Sequence, residues 1–121
     1  MSVESISRLK EVGLMHPEQV RSAQDSLLDP GTADRLAGTF QALADPSRVR
    51  LISALTRTEM CVQDLASVLG MSQSAVSHQL KSLRHLRIVK GRRAGREVVY
   101  SLDDDHIRDL FEFGLTHIRH L

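Results

Sequence analysis

The sequence predicts a mostly α-helical fold with one small β-hairpin. Three observations predict it: aliphatic residues recur every three or four positions, Pro, Gly, Ser and Asp cut that pattern into short helices, and the period changes to two only after Leu86. At 121 residues, with 3% aromatics and no Trp, the chain fits one domain with an aliphatic core, small enough that a partner subunit would help.

Residues 1–30 are expected to form a partly ordered N-terminal arm. Val3, Ile6, Leu9 and Val12 have loose helical spacing, and a helix near residues 17–28 is stopped by Asp29, Pro30 and Gly31. The folded domain is expected over residues 31–121. Thr32 is a good N-cap for a core-facing helix carrying Leu36, Phe40 and Leu43, which breaks at Asp45 and Pro46. Asp45 then caps a helix with Pro46 in its first position, where a missing N–H leaves no gap; Val49, Leu51, Ile52 and Leu55 form its buried stripe to about Arg57.

Val62, Leu65, Ala66 and Leu69 make a short amphipathic helix closed by Gly70, which suits the left-handed C-terminal position. Ser72 caps the next helix, in which Val76, Leu80, Leu83 and Leu86 point inward and Gln73, Ser74, Ser77, His78 and Lys81 gather opposite. A short helix, a glycine-bearing turn and a second helix with small polar side chains form the helix-turn-helix pattern, in which small groups allow close approach to base edges. Any amphipathic surface helix has a polar face, so the following hairpin matters. Residues 88–91 and 97–102 alternate as strands, joined by residues 92–96, with Gly95 able to take positive φ. Arg92, Arg93 and Arg96 crowd that tip, and their guanidinium groups suit phosphates or a narrow minor groove. Together these elements predict a winged helix-turn-helix that binds double-stranded DNA.

The formal charge of +1 is an average over unlike segments. Residues 65–96 hold seven cations and no acid, whereas residues 97–121 carry six acids and two bases. A basic stretch between acidic ones fits a phosphate-binding surface on a metal-binding body. The single cysteine excludes an intrachain disulfide and a CxxC zinc ribbon. No apolar run reaches signal-peptide or membrane length, so a cytoplasmic location is expected.

The C-terminal segment DDDHIRDLFEFGLTHIRH carries the candidate metal ligands. Asp104 and His106 stand at a helix start, and His117 and His120 lie near its end. His106 and His117 share a face to within about 20° but are roughly 16 Å apart along the axis, too far for one zinc ion. An antiparallel second copy would place His117 and His120 of one chain beside Asp104 and His106 of the other, giving two identical tetrahedral sites in a homodimer. Three imidazoles and one carboxylate fit Zn²⁺ best, with Co²⁺ a close mimic. A site closed by four protein ligands suits a sensor rather than a hydrolytic enzyme, which keeps a position for water.

These residues resemble the ArsR/SmtB family of metalloregulatory repressors from about Leu36 to His120. The resemblance rests on ALADPSRVRLI ending at Ile52, CVQDLA from Cys61, SQSAVSHQLKSLR from Ser72 and GREVVYSLDDDH from Gly95. It implies a winged-helix homodimer that binds a palindromic operator without metal and releases it on binding Zn²⁺ or Co²⁺. Asp104, His106, His117 and His120 look like the C-terminal-helix site of its zinc and cobalt sensors. The chain departs from the thiolate site of soft-metal sensors: Cys61 is present, but Gln63 stands two residues on. Cys61, Asp64 and His16 remain a possible second site; a small buried cysteine at a helix start is the plainer reading.

Other readings stay open. A repressor of the same fold could sense an oxidant or an organic ligand, although a lone cysteine lacks a resolving thiol within the chain. A metalloenzyme has little support, because no nucleophile motif or glycine-rich phosphate loop is present. A winged-helix protein-interaction module is disfavoured by the basic segment.

Overall fold

A computed structural model describes Gly13 and residues 15–121, so the expected spacing of Val3, Ile6, Leu9 and Val12 lies outside the described residues. Two compact units are present, one ending at Leu36 and the other Ala37–Leu121. In the first, α1 (Pro17–Ser26) opens on proline. Next comes α2 (Pro30–Ala42), which runs across the break between the units. Its cap is Asp29, not Thr32: the Asp29 carboxylate accepts the Thr32 N–H at 3.0 Å and the Thr32 hydroxyl at 2.7 Å. The helix therefore opens three residues early, because Pro30 is tolerated at the first position. Its expected core face is also largely outside the core, with Leu36 and Phe40 exposed and only Ala42 buried within the helix.

The second unit is built on α3 (Pro46–Arg57). Asp45 caps it by accepting the Arg48 N–H at 3.0 Å, and Leu51, Ile52 and Leu55 are buried. Val49, placed on the same stripe, stays partly exposed. The two-residue strand β1 (Met60–Cys61) was not expected; it precedes α4 (Val62–Leu69), which ends at Gly70 with φ of 65°. Ser72 accepts the Ala75 N–H at 3.0 Å and opens α5 (Gln73–His85). Val76, Leu80 and Leu83 bury the inner face of α5 against Leu51, Ile52, Leu55, Leu65 and Leu69. Each such side chain contributes roughly 1.5–3 kcal/mol through removal from water. Leu86 does not join them: it is the C-cap and is exposed.

Arg87, at φ of 60°, ends α5 in a left-handed turn. Its N–H donates to the Arg84 carbonyl at 3.0 Å, and the Ile88 N–H donates to the Leu83 carbonyl at 2.8 Å. This is a Schellman motif with arginine where glycine is usual. Strands β2 (Val89–Ala94) and β3 (Glu97–Leu102) form an antiparallel hairpin, and β1 adds to the other edge of β3. Register runs from Val89 opposite Leu102 to Ala94 opposite Glu97, with Met60 opposite Tyr100. The connection is thus only Gly95 and Arg96, with Gly95 at φ of 66°. Arg92 and Arg93 lie in β2 rather than at the tip. Gly91 is required by packing, because a Cβ there would sit 2.9 Å from Val98 Cγ1 and 3.2 Å from the Tyr100 ring. Finally, α6 (Asp105–Arg119) packs on α3 and β3. Among the described residues no helix is long and apolar enough to cross a membrane.

Candidate functional site

The polar face expected for α5 is present. Gln73, Ser74, Ser77, His78 and Lys81 are all exposed, while the opposite side of the helix is locked into the core. The Ser72 cap fixes the start of this helix, leaving the polar side chains free to face a ligand as wide as a duplex groove. Serine and glutamine at its N-terminal end suit base edges, and Lys81 one helical turn beyond His78 suits phosphate.

The wing arginines are not equivalent. Arg93 and Arg96 are exposed and enter no ion pair among the described residues. Arg92 instead forms a two-pronged pair with Glu59: its Nε donates to Glu59 Oε2 at 3.3 Å, and its Nη2 donates to Oε1. That hydrogen bond lowers the Glu59 carboxyl below its ordinary value and raises the Arg92 guanidinium above its own. The pairing was missed because Glu59 lies 33 residues before Arg92. Sequence reasoning also missed Arg48, Arg84 and His85, which line one groove with His78 and Lys81. Arg48 reaches it from α3, a placement that only the tertiary fold supplies.

The metal-ligand candidates occupy the two ends of α6. Asp104 is the N-cap, accepting the Ile107 N–H at 3.2 Å, and its other oxygen lies 3.5 Å from His106 Nδ1. Burial alone would raise the Asp104 carboxyl, but the Ile107 N–H and His106 together hold it below its usual value. His117 is in the last turn of α6 and His120 is the C-cap. Cys61 is half-buried at the N-cap of α4, where it makes no side-chain cap bond, and Asp64 lies in the first turn of that helix. His16 precedes α1 in the other unit. Among the described residues, no three or more His, Cys, Asp or Glu converge on one ion within a single chain. Asp104 and His106 are brought together; His117 and His120 are not brought to them.

Donor chemistry at α6 fits a borderline divalent ion. His106 is almost wholly exposed and Asp104 is half-exposed, so both can turn toward an incoming group. Imidazole and carboxylate are ordinary ligands of Zn²⁺ and Co²⁺.

Comparison with known proteins gives the lineage. Residues 45–90 match the model of the bacterial regulatory protein, arsR family. The chain is 51% identical over 106 residues to a transcriptional repressor SmtB homolog of Synechocystis sp., covering 88% of this chain and 80% of that one. It is 45% identical to the HTH-type transcriptional regulator NmtR of Mycobacterium tuberculosis, with 88% of each covered. The solution structure of apo-NmtR superposes with a TM-score of 0.69 at 48% identity, over 79% of this chain and 81% of that one. The chain therefore belongs to the ArsR/SmtB family of winged helix-turn-helix transcriptional regulators.

Proposed function

We propose that this chain is a metal-responsive transcriptional repressor: a homodimer that holds a palindromic operator when metal-free and releases it on binding Zn²⁺ or Co²⁺. The observation that carries this reading is the split ligand set on α6. Asp104 and His106 form a half-site at one end, His117 and His120 stand at the other, and among the described residues no single chain completes a site. In this reading Asp104 and His106 of one chain and His117 and His120 of its partner hold the ion. A bound ion would supply a fixed charge and a tetrahedral geometry that favour one arrangement of the two chains. The names of the SmtB homolog and NmtR support the regulatory role.

Dimerisation is supported by the surface of α6. Leu43, Val49, Ile52, Phe111, Leu115 and Ile118 line an apolar groove of about 270 Å³ between α3 and α6. Phe113 is 75% exposed and Ile118 60%, which is costly for an isolated chain. DNA contact falls to Gln73, Ser74, Ser77, His78 and Lys81 in the major groove and to Arg93 and Arg96 of the wing, with Arg92 held back by Glu59. Any metal role of Cys61, Asp64 and His16 is secondary. The test is a duplex selected from a random library, titrated with Zn²⁺ and Co²⁺ under fluorescence anisotropy. Metal should dissociate the complex of the native protein but not that of His106→Ala or His117→Ala. Undiminished DNA affinity in saturating metal, or full release by both variants, would overturn the reading.

A further inference from the structure

The groove flanking α5 has properties that the reading face does not explain. It has an open volume of about 760 Å³, and its wall includes Arg48, His78, Lys81, Ser82, Arg84 and His85. No acidic side chain lines it. Among the described residues, Arg48, Lys81 and Arg84 take part in no ion pair, whereas Arg92 of the wing has Glu59. Three like charges lining one concavity repel each other, and among the described residues none of them is offset by an ion pair. Such a concavity attracts anions.

We propose that this groove is a second contact for the DNA backbone, in which Arg48, Lys81 and Arg84 engage the phosphates of the strand beside the major groove. The proposal rests on the chain's DNA-binding role. His78, Lys81, Ser82 and His85 recur at helical spacing, so they share one flank of α5, and His78 with Lys81 also borders the reading face. A helix lying in a major groove about 12 Å wide has a phosphate strand along each side. The groove meets one of them. Arg48 is set there by two anchors: Asp45 accepts its backbone N–H, and the neighbouring Ser47 accepts a hydrogen bond from Gln79 Nε2 of α5 at 2.9 Å. The Ser47 and Gln79 link ties the first turn of α3 to the reading helix, so Arg48 and the reading face move together. An open trough continuous with the reading face suits an extended polyanion better than a small anion, which needs enclosure.

The test uses a mixed-sequence 30-base-pair duplex and the full-length chain, with anisotropy read between 50 and 300 mM salt. Arg48→Gln and Arg84→Gln should each flatten the slope of log affinity against log salt by about 0.9. Between 50 and 200 mM, each variant then loses about 3.5-fold less affinity than the native chain. Arg84→Lys should keep the slope, because charge rather than hydrogen-bond geometry is being read. Arg57→Gln, the same loss of charge at the far end of α3, should leave it unchanged. Native slopes in both glutamine variants, with unchanged thermal midpoints, would overturn the proposal. So would an equal flattening in Arg57→Gln, which would reduce the effect to net charge. A native chain that binds no duplex at all would remove the DNA-binding role itself, and this contact with it.

Discussion

Replacing Arg87 by glycine should make the protein more stable, although it removes a side chain and adds no contact. Arg87 holds a left-handed backbone at φ of 60° while its N–H and that of Ile88 close the end of α5. A left-handed conformation costs an L-residue about 1–2 kcal/mol through the clash of Cβ with the following carbonyl. Glycine escapes that clash but brings an unfolded-state entropy penalty of about 0.4–1 kcal/mol. The balance favours glycine by roughly 0.5–1 kcal/mol, or about 2–4 °C in thermal midpoint for a chain of this size. Arg87→Ala provides the control: it deletes the same guanidinium and keeps the Cβ, so the difference between the two variants isolates the backbone. Urea unfolding at one fixed protein concentration measures both, because association would otherwise shift the midpoint. If Arg87→Ala matched or exceeded Arg87→Gly with equal denaturant slopes, the strain attributed to this turn would not exist.

Ser72→Ala should cost about 1 kcal/mol, because it leaves the Ala75 N–H at the start of α5 without its acceptor; thermal unfolding checks it, and an unchanged midpoint would refute the capping role. Glu59→Gln should tighten binding to mixed-sequence duplex by roughly two- to fivefold by freeing Arg92 for phosphate, and Arg92→Gln should weaken binding less than Arg93→Gln. Equal losses for the two arginines, read by anisotropy, would show that Glu59 does not restrain Arg92. The Asp29 carboxyl should titrate below 3.8, since the Thr32 hydroxyl and N–H favour its charged form. Its folded value being depressed, the stabilisation it gives α2 is present above the unfolded value and is lost as pH falls through the folded one. Carboxyl carbon chemical shifts against pH measure this, and a midpoint at or above 3.8 would contradict the cap.

The parts legible in the sequence were those marked by local chemistry. Asp45 before Pro46, Gly70, and Ser72 at the start of α5 each encode their own backbone role, and each acts as expected. The parts that were not legible depend on partners distant in sequence. Strand β1 is two residues long, too short to show a period, and exists because Met60 meets Tyr100 forty positions later. The wing gains length because Arg92, Arg93 and Ala94 pair with β3, although their composition suggests a loop. Thr32 carries as strong a capping signal as Asp29, and what separates them is the tolerance of Pro30 for the first helical position. Leu36 and Phe40 show the spacing of a buried stripe but lie exposed, so periodicity identified an apolar face without naming what covers it.

The candidate ligand residues at the start of α6 are tied to the reading helix through the backbone. Asp103, next to Asp104, donates its N–H to the Ile88 carbonyl at 2.9 Å, and the Ile88 N–H donates to the Leu83 carbonyl inside α5 at 2.8 Å. Ile88 and Leu83 are both buried, so neither bond can move without disturbing close-packed side chains. Connection alone is not coupling, which needs an element with two arrangements that both ligands bias differently. The elements on this path are packed into the core, as are Ile107 and Phe111 of α6, whereas Phe113 and Ile118 of the same helix are exposed among the described residues. In the proposed reading the two arrangements belong to the relation between protomers, and a ligand set divided between the ends of α6 would act on that relation directly.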